Sequence, residues 1–139
     1  MNRFTSFLFA LLMAFVFTPD GMAKAKDFTV GKNTFLIGGK PIVIKAAEIH
    51  YPRIPREYWE HRMKMCKALG MNTVCIYIFW NIHEQKEGQF DFTGNNDIAA
   101  FCRLAQKNDL YVIVRPGPYV CAEWEMGGLP WWLLKKKDI

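Results

Sequence analysis

Apolar residues along this chain fall into two alternating patterns. Short β-branched runs suit strands, and segments with apolar positions every three or four residues suit helices. Phe28-Thr29-Val30 and Thr34-Phe35-Leu36-Ile37, separated by Gly31-Lys32-Asn33 and followed by Gly38-Gly39-Lys40-Pro41, predict a β-hairpin with turn chemistry on both sides. Residues 42–49 are mostly apolar and predict a first core strand covered on both faces, ending at His50-Tyr51. Pro55 suits a first helical turn. Trp59, Met63, Cys66 and Leu69 then trace one face, and Gly70 offers a left-handed cap, so the spacing predicts a helix over residues 55–69.

Residues 73–80 form a second continuous apolar strand that ends in the polar burst Asn81-Ile82-His83-Glu84. A loop with Gly88 and Gly94 carries Phe90 and Phe92. Asn96 or Asp97 can then cap a helix whose buried stripe is Ile98, Phe101, Leu104 and Ala105. Leu110-Tyr111-Val112-Ile113-Val114 is a third strand, closing on Arg115-Pro116-Gly117-Pro118-Tyr119, and Trp131-Trp132-Leu133-Leu134 begins another helix. Strand, helix, strand, helix, strand with short connections predicts parallel βα units, with every polar-aromatic cluster at a strand's C-terminal end. The expected class is α/β, about three βα units from the N-terminal part of a (β/α)₈ barrel, where that end is the catalytic face. A complete barrel takes about 250 residues, so these 139 residues are expected to be a truncated piece.

The N-terminus reads Met1-Asn2-Arg3 and then an apolar run over residues 7–17, closed by Thr18-Pro19-Asp20-Gly21. A membrane span needs about 20 apolar residues, so the run fits a secretory signal, with small residues at Ala23-Lys24-Ala25. Residues 1–25 are assigned to that signal and residues 26–139 to a partial catalytic domain. The mature chain is expected to be exported and to have no membrane span. A hydrophobic share of 51% with 15% aromatics excludes a disordered chain. The net charge of +5 owes part of its value to the signal and to Lys135-Lys136-Lys137, so no nucleic-acid partner is read from it. Cys66, Cys75, Cys102 and Cys121 lack zinc-site spacing, and buried thiols are the expectation for all four.

Candidate chemistry gathers at the three strand ends. Glu48, His50 and Tyr51 follow the first. Tyr77, Trp80, Asn81, His83 and Glu84 close the second, and Arg115, Tyr119, Cys121, Glu123, Trp124 and Glu125 follow the third. Carboxylates interleaved with aromatics suit a sugar, whose hydroxyls donate charge-assisted hydrogen bonds to carboxylates and whose C–H face stacks on rings. Glu123 and Glu125 could form the carboxylate pair of a retaining glycosidase, about 5–5.5 Å apart, or could be glutamates on a solvated loop. His50 and His83 with Glu48 or Glu84 have no diagnostic metal spacing, and no metal is expected.

The same residues resemble glycoside hydrolase family 35, the β-galactosidase family. The likeness runs through Ala47-Glu48-Ile49-His50-Tyr51-Pro52-Arg53-Ile54-Pro55, Tyr77-Ile78-Phe79-Trp80-Asn81-Ile82-His83-Glu84, and Arg115-Pro116-Gly117-Pro118-Tyr119-Val120-Cys121-Ala122-Glu123-Trp124-Glu125-Met126-Gly127-Gly128-Leu129-Pro130, and spans residues 28–139. The resemblance implies galactose contacts at Tyr77, Cys121, Ala122 and Glu123. Cys121 and Ala122 would act mainly through backbone and position, and Glu123 through its carboxylate. It also implies that the acid/base glutamate, in a Glu-Asn-Glu-Tyr motif, and the nucleophile glutamate lie beyond Ile139, so that no catalytic carboxylate is expected here. Glu123 and Glu125 then become binding and shape residues. Glu48 stands where many relatives carry a small or hydroxyl residue, and Trp131 where they often carry Ala or Val. The implied reaction is retaining exo-cleavage of a terminal β-linked galactose without a cofactor. A related exo-β-glycosidase of other specificity and a non-catalytic or decayed carbohydrate-binding protein are the alternatives.

Overall fold

Two compact units divide the chain, Met1–Val43 and Ile44–Ile139. The computed structural model describes residues 26–137, so the signal assigned to residues 1–25 lies outside the described residues. Among the described residues no helix is long and apolar enough to cross a membrane.

The first unit is an antiparallel meander of β1 (Phe28–Gly31), β2 (Thr34–Ile37) and β3 (Lys40–Ile42), with Phe28 opposite Ile37 and Phe35 opposite Ile42. Asn33 takes φ 64° at the first reversal, and Gly38 and Gly39 take φ 56° and 76° at the second, which is why turn residues sit at both. The predicted hairpin is present with one strand more than expected. Lys40 and Pro41, expected in the turn, and Ile42, expected to open the core strand, form the third strand of this meander, where Pro41, which lacks a donor, fits an edge position.

The second unit is built on a parallel sheet in the order β4 (Ala46–Glu48), β5 (Thr73–Ile78) and β6 (Tyr111–Pro116), with Ala46 paired to Thr73 and Thr73 to Tyr111. The first core strand is thus three residues long, shorter than its apolar run. Helix α1 (Trp59–Ala68) links β4 to β5, and α3 (Ile98–Lys107) links the short α2 (Trp80–His83) to β6. The second strand also ends early, at Ile78, because Trp80 and its neighbours turn into α2.

Both long helices stop in the same way. After α1, Gly70 N–H donates to Lys67 O at 2.9 Å and Met71 N–H to Cys66 O at 3.0 Å, with Gly70 at φ 81°. After α3, Asp109 N–H donates to Gln106 O and Leu110 N–H to Ala105 O, each at 3.0 Å, with Asp109 at φ 53°. These are paired Schellman closures, and the second uses an aspartate where the first uses glycine. At the N-terminus of α3, Ala100 N–H donates to Asp97 Oδ1 at 2.8 Å. This bond holds the Asp97 carboxyl below its ordinary range, aided by Arg56.

The core lies between the helices and β5. Trp59, Met63 and Cys66 from α1 meet Phe101 and Ala105 from α3, over Val74 and Ile76 of β5, with Ile49, Tyr51 and Leu110 at its borders. Trp59 sets its ring edge-to-face on Phe101 at 5.2 Å and donates its Nε1–H to Tyr51 O and Ile54 O. The predicted helical stripes therefore point inward, although Leu69 is exposed and Leu104 only partly covered. Coverage on both faces holds for β5 but not for its neighbours. Tyr111 and Ile113 of β6 are exposed, and β4 is mostly so, because the helices cover one side of the sheet.

Candidate functional site

The parallel strands run in one direction, so their C-terminal ends bring residues distant in sequence onto one rim. Glu48 closes β4, Tyr77 nears the end of β5, and Arg115 stands beside it on β6, where the register pairs Tyr77 with Arg115. Tyr77 O–H donates to Glu48 Oε2 at 2.9 Å, and Arg115 Nη1–H donates to Tyr77 Oη. The Arg115 guanidinium lies 4.4 Å over the Tyr77 ring and 3.8 Å from the Glu48 carboxylate. Burial first, then the hydrogen bond to Glu48, pushes the Tyr77 phenol above its ordinary value, so it stays a neutral hydroxyl at physiological pH. Its proton is committed to Glu48, which leaves the oxygen to act toward a ligand as an acceptor.

His50 fills the centre of this rim. Its ring meets Tyr77, Phe79 and Trp124 edge-on, with centroids 5.5, 5.2 and 6.0 Å away. Its Nε2 is 3.4 Å from Glu48 Oε1. Trp124 stacks on Phe79 at 3.9 Å, and the Arg53 guanidinium lies 4.3 Å from the Trp124 ring centre. Two groups that close cannot share one face of an indole, so both Trp124 faces are occupied and this ring supports the rim rather than offering a sugar platform.

The loop after β6 is the most constrained part of the rim. Cys121, Ala122 and Glu123 take φ of 59°, 53° and 47°, a run of three L-residues in the left-handed region, followed by Met126 at 50°. Trp124 N–H donates to Cys121 O at 3.0 Å, and Val120 N–H to Gly127 O at 2.8 Å, which closes the loop on itself. Val120 and Ala122 are buried against Tyr77 and Phe79, so Ala122 anchors the loop while Cys121 and Glu123 on either side face outward. Gly127 and Gly128 are required here. A Cβ on Gly127 would sit 2.0 Å from the Tyr119 ring, and one on Gly128 would sit 2.8 Å from Val120. The Tyr119 phenol is pushed up by its hydrogen bond with Cys121.

The four residues expected to touch galactose, Tyr77, Cys121, Ala122 and Glu123, therefore lie on one rim with Glu48 and His50. Cys121 is exposed, which corrects the expectation of four buried thiols. Its left-handed backbone turns the side chain outward, whereas Cys66 is buried and Cys75 and Cys102 are partly so. Other candidates serve the fold. His83 Nδ1–H donates to Asp91 O at 2.8 Å, and its Nε2 accepts from Tyr51 O–H at 2.5 Å. The buried Glu84 accepts from Trp80 Nε1–H and from Gly88 N–H. Among the described residues no three His, Cys, Asp or Glu side chains are grouped as metal ligands. Arg53 was not among the strand-end candidates, although Nη2–H donates to Glu123 O at 2.5 Å. It sits in a 3₁₀ turn (Tyr51–Arg53) with no periodicity to mark it.

Comparison with known proteins identifies the family. The family model for glycosyl hydrolases family 35 matches residues 34–139. The chain is 54% identical over 105 residues to a β-galactosidase of Xanthomonas manihotis, covering 76% of this chain and 18% of that protein. It is 49% identical over 108 residues to the Mus musculus β-galactosidase (78% and 17%) and 48% identical over 113 residues to the Homo sapiens β-galactosidase (81% and 17%). The chain thus spans under a fifth of the length of these relatives. With a parallel βα sheet, the three rim motifs and a family match over most of its residues, this chain belongs to glycosyl hydrolases family 35.

Proposed function

We propose that the protein carrying this chain is an exported, retaining exo-β-galactosidase. In this reading residues 26–139 supply the first βα units of a (β/α)₈ barrel and part of its sugar-binding mouth. The observation that carries it is the convergence of Tyr77 and the Cys121-Ala122-Glu123 loop on one rim at the C-terminal ends of parallel strands, in a chain of this family. Glu123 offers a carboxylate to paired sugar hydroxyls, the left-handed turn sets Cys121 and Ala122 beside it, and the Tyr77 oxygen accepts from a further hydroxyl. The acid/base and nucleophile glutamates are placed beyond residue 139. With them, the nucleophile carboxylate attacks the anomeric carbon as the acid/base carboxyl protonates the departing glycosidic oxygen, giving a galactosyl-enzyme and the free aglycone alcohol. The acid/base carboxylate then takes a proton from water, which displaces the nucleophile and releases galactose with retention, with no cofactor.

The test is to express the complete reading frame and assay it on a chromogenic β-D-galactoside, with the matching β-glucoside and β-glucosaminide as controls. Cleavage of the galactoside in preference to the others, with β-galactose as first product, is the expected result. Preference for another glycoside would transfer the reading to a related exo-glycosidase, and inertness on all three would leave a carbohydrate-binding protein.

A further inference from the structure

We propose that Arg53 is a positioning residue that holds the galactose-binding loop in its left-handed conformation. The role rests on the galactoside reading above. Three successive non-glycine residues with positive φ are individually disfavoured and persist only where their surroundings over-determine them. On the inner side, burial of Ala122 and the bond from Trp124 N–H to Cys121 O supply part of that constraint. On the outer side the Asn81 amide accepts from Trp124 Nε1–H and donates to Glu125 O, and one guanidinium reaches the left-handed run itself. Arg53 Nη2–H donates to Glu123 O at 2.5 Å, the last carbonyl of the left-handed run, while the guanidinium covers the Trp124 ring at 4.3 Å.

The same group orders the other half of the rim. Arg53 Nη1 lies 3.0 Å from His50 Nδ1, and a guanidinium can only donate, so Nδ1 accepts and the ring proton sits on Nε2. That nitrogen faces Glu48 Oε1 at 3.4 Å, and Glu48 in turn receives the Tyr77 proton. A planar fork with several donors can serve a carbonyl, an imidazole and an indole face together, whereas a lysine ammonium is a single point charge on a flexible stem. Arg53 thus ties the turn after β4 to the loop after β6, 70 residues away, and aligns both sets of sugar contacts.

Loss of Arg53 should weaken sugar binding and leave the chemical step nearly intact. In the protein from the complete reading frame, Arg53→Ala is expected to raise KM for a chromogenic β-galactoside about tenfold, with kcat within about twofold of wild type. Arg53→Lys should stay close to Arg53→Ala, and added methylguanidinium should lower the KM of Arg53→Ala. Arg56→Ala is the contrast, since Arg56 bonds Gly94 O and Asp97 away from the rim and should change thermal stability without changing KM. Arg53→Gln replaces the alanine variant if the latter does not fold. A wild-type KM in the alanine or glutamine variant, full rescue by lysine, or a loss confined to kcat would overturn the proposal.

A wild-type protein inert on every galactoside would sink the galactoside reading alone. The clamp is then read from the rate at which a thiol reagent labels the exposed Cys121. A rate that rises in the variant and falls back with methylguanidinium supports it, and an unchanged rate overturns it.

Discussion

Tyr51→Phe tests the buried polar link that fixes the α2 turn to the core. Tyr51 is fully buried, and its hydroxyl lies 2.5 Å from His83 Nε2. The Asp91 carbonyl at His83 Nδ1 can only accept, so the ring proton is on Nδ1 and Nε2 has Tyr51 as its donor. The substitution keeps the ring against Trp59 and Phe101 but leaves a ring nitrogen of the buried His83 without a partner. A lost hydrogen bond plus an orphaned buried acceptor costs about 1–3 kcal/mol near neutral pH.

The pH dependence gives a second, independent reading. Burial first, then the neighbouring Cys102, pushes the Tyr51 phenol well above its ordinary value of 10.0. In the unfolded chain the phenol ionises near that ordinary value while the folded chain keeps its proton. The stability it contributes is therefore complete below about pH 10 and is lost as pH rises beyond it, at up to about 1.4 kcal/mol per pH unit. Phenylalanine has no such proton, so the gap between wild type and variant should narrow above about pH 10. Urea unfolding followed by tryptophan fluorescence, at about pH 7 and about pH 11, measures both effects. A variant within about 0.3 kcal/mol of wild type at neutral pH, or a gap that does not change with pH, would refute the reasoning.

Four further outcomes are expected. Glu123→Gln should lower kcat/KM on a β-galactoside about a hundredfold, since charge-assisted bonds to sugar hydroxyls become neutral ones, while the melting temperature stays near wild type because the side chain is exposed. Trp59→Phe should cost about 2–4 kcal/mol in thermal or urea unfolding, through two carbonyls left without the indole donor and a smaller ring in the core. Gly128→Ala, at φ 90° and 2.8 Å from Val120, should cost about 1–3 kcal/mol and raise KM more than it lowers kcat, as measured by unfolding and steady-state kinetics. In native protein a thiol reagent should label Cys121 first. Cys66 and Cys102, whose thiols burial pushes up, should follow only on unfolding, and equal labelling rates would contradict the described loop.

Much of this arrangement is legible in the sequence. The apolar runs at residues 73–80 and 110–114 supplied the paired parallel strands Thr73–Ile78 and Tyr111–Pro116, and the helical stripes placed Trp59, Met63, Phe101 and Ala105 in the core, because burial on one face imposes a period that a chain displays locally. Gly70 and Asp97 acted as the helix stop and start they resembled, since capping satisfies backbone groups within a few residues. The limits of the strands were less legible. Ile42 and Trp80 belong to apolar runs, yet their backbone partners, not their side chains, decide where they pair.

Chemistry divides in the same way. Residue types at the strand ends were enough to point to a sugar, because carboxylates and aromatics carry their character wherever they sit, whereas Tyr77, Cys121, Ala122 and Glu123 were singled out as expected contacts by the family resemblance, and the fold brings them to one rim. Which of the remaining polar groups face the rim was a tertiary matter. His83 and Glu84 are as polar as His50 and Glu48, but the α2 turn directs them into buried hydrogen bonds with Tyr51, Trp80 and Gly88. Both faces of Trp124 are covered by groups from two other segments, and Arg53 reaches a carbonyl 70 residues away. Such contacts depend on strand order and register, which bring together atoms that no local period relates, so only the folded chain could decide them.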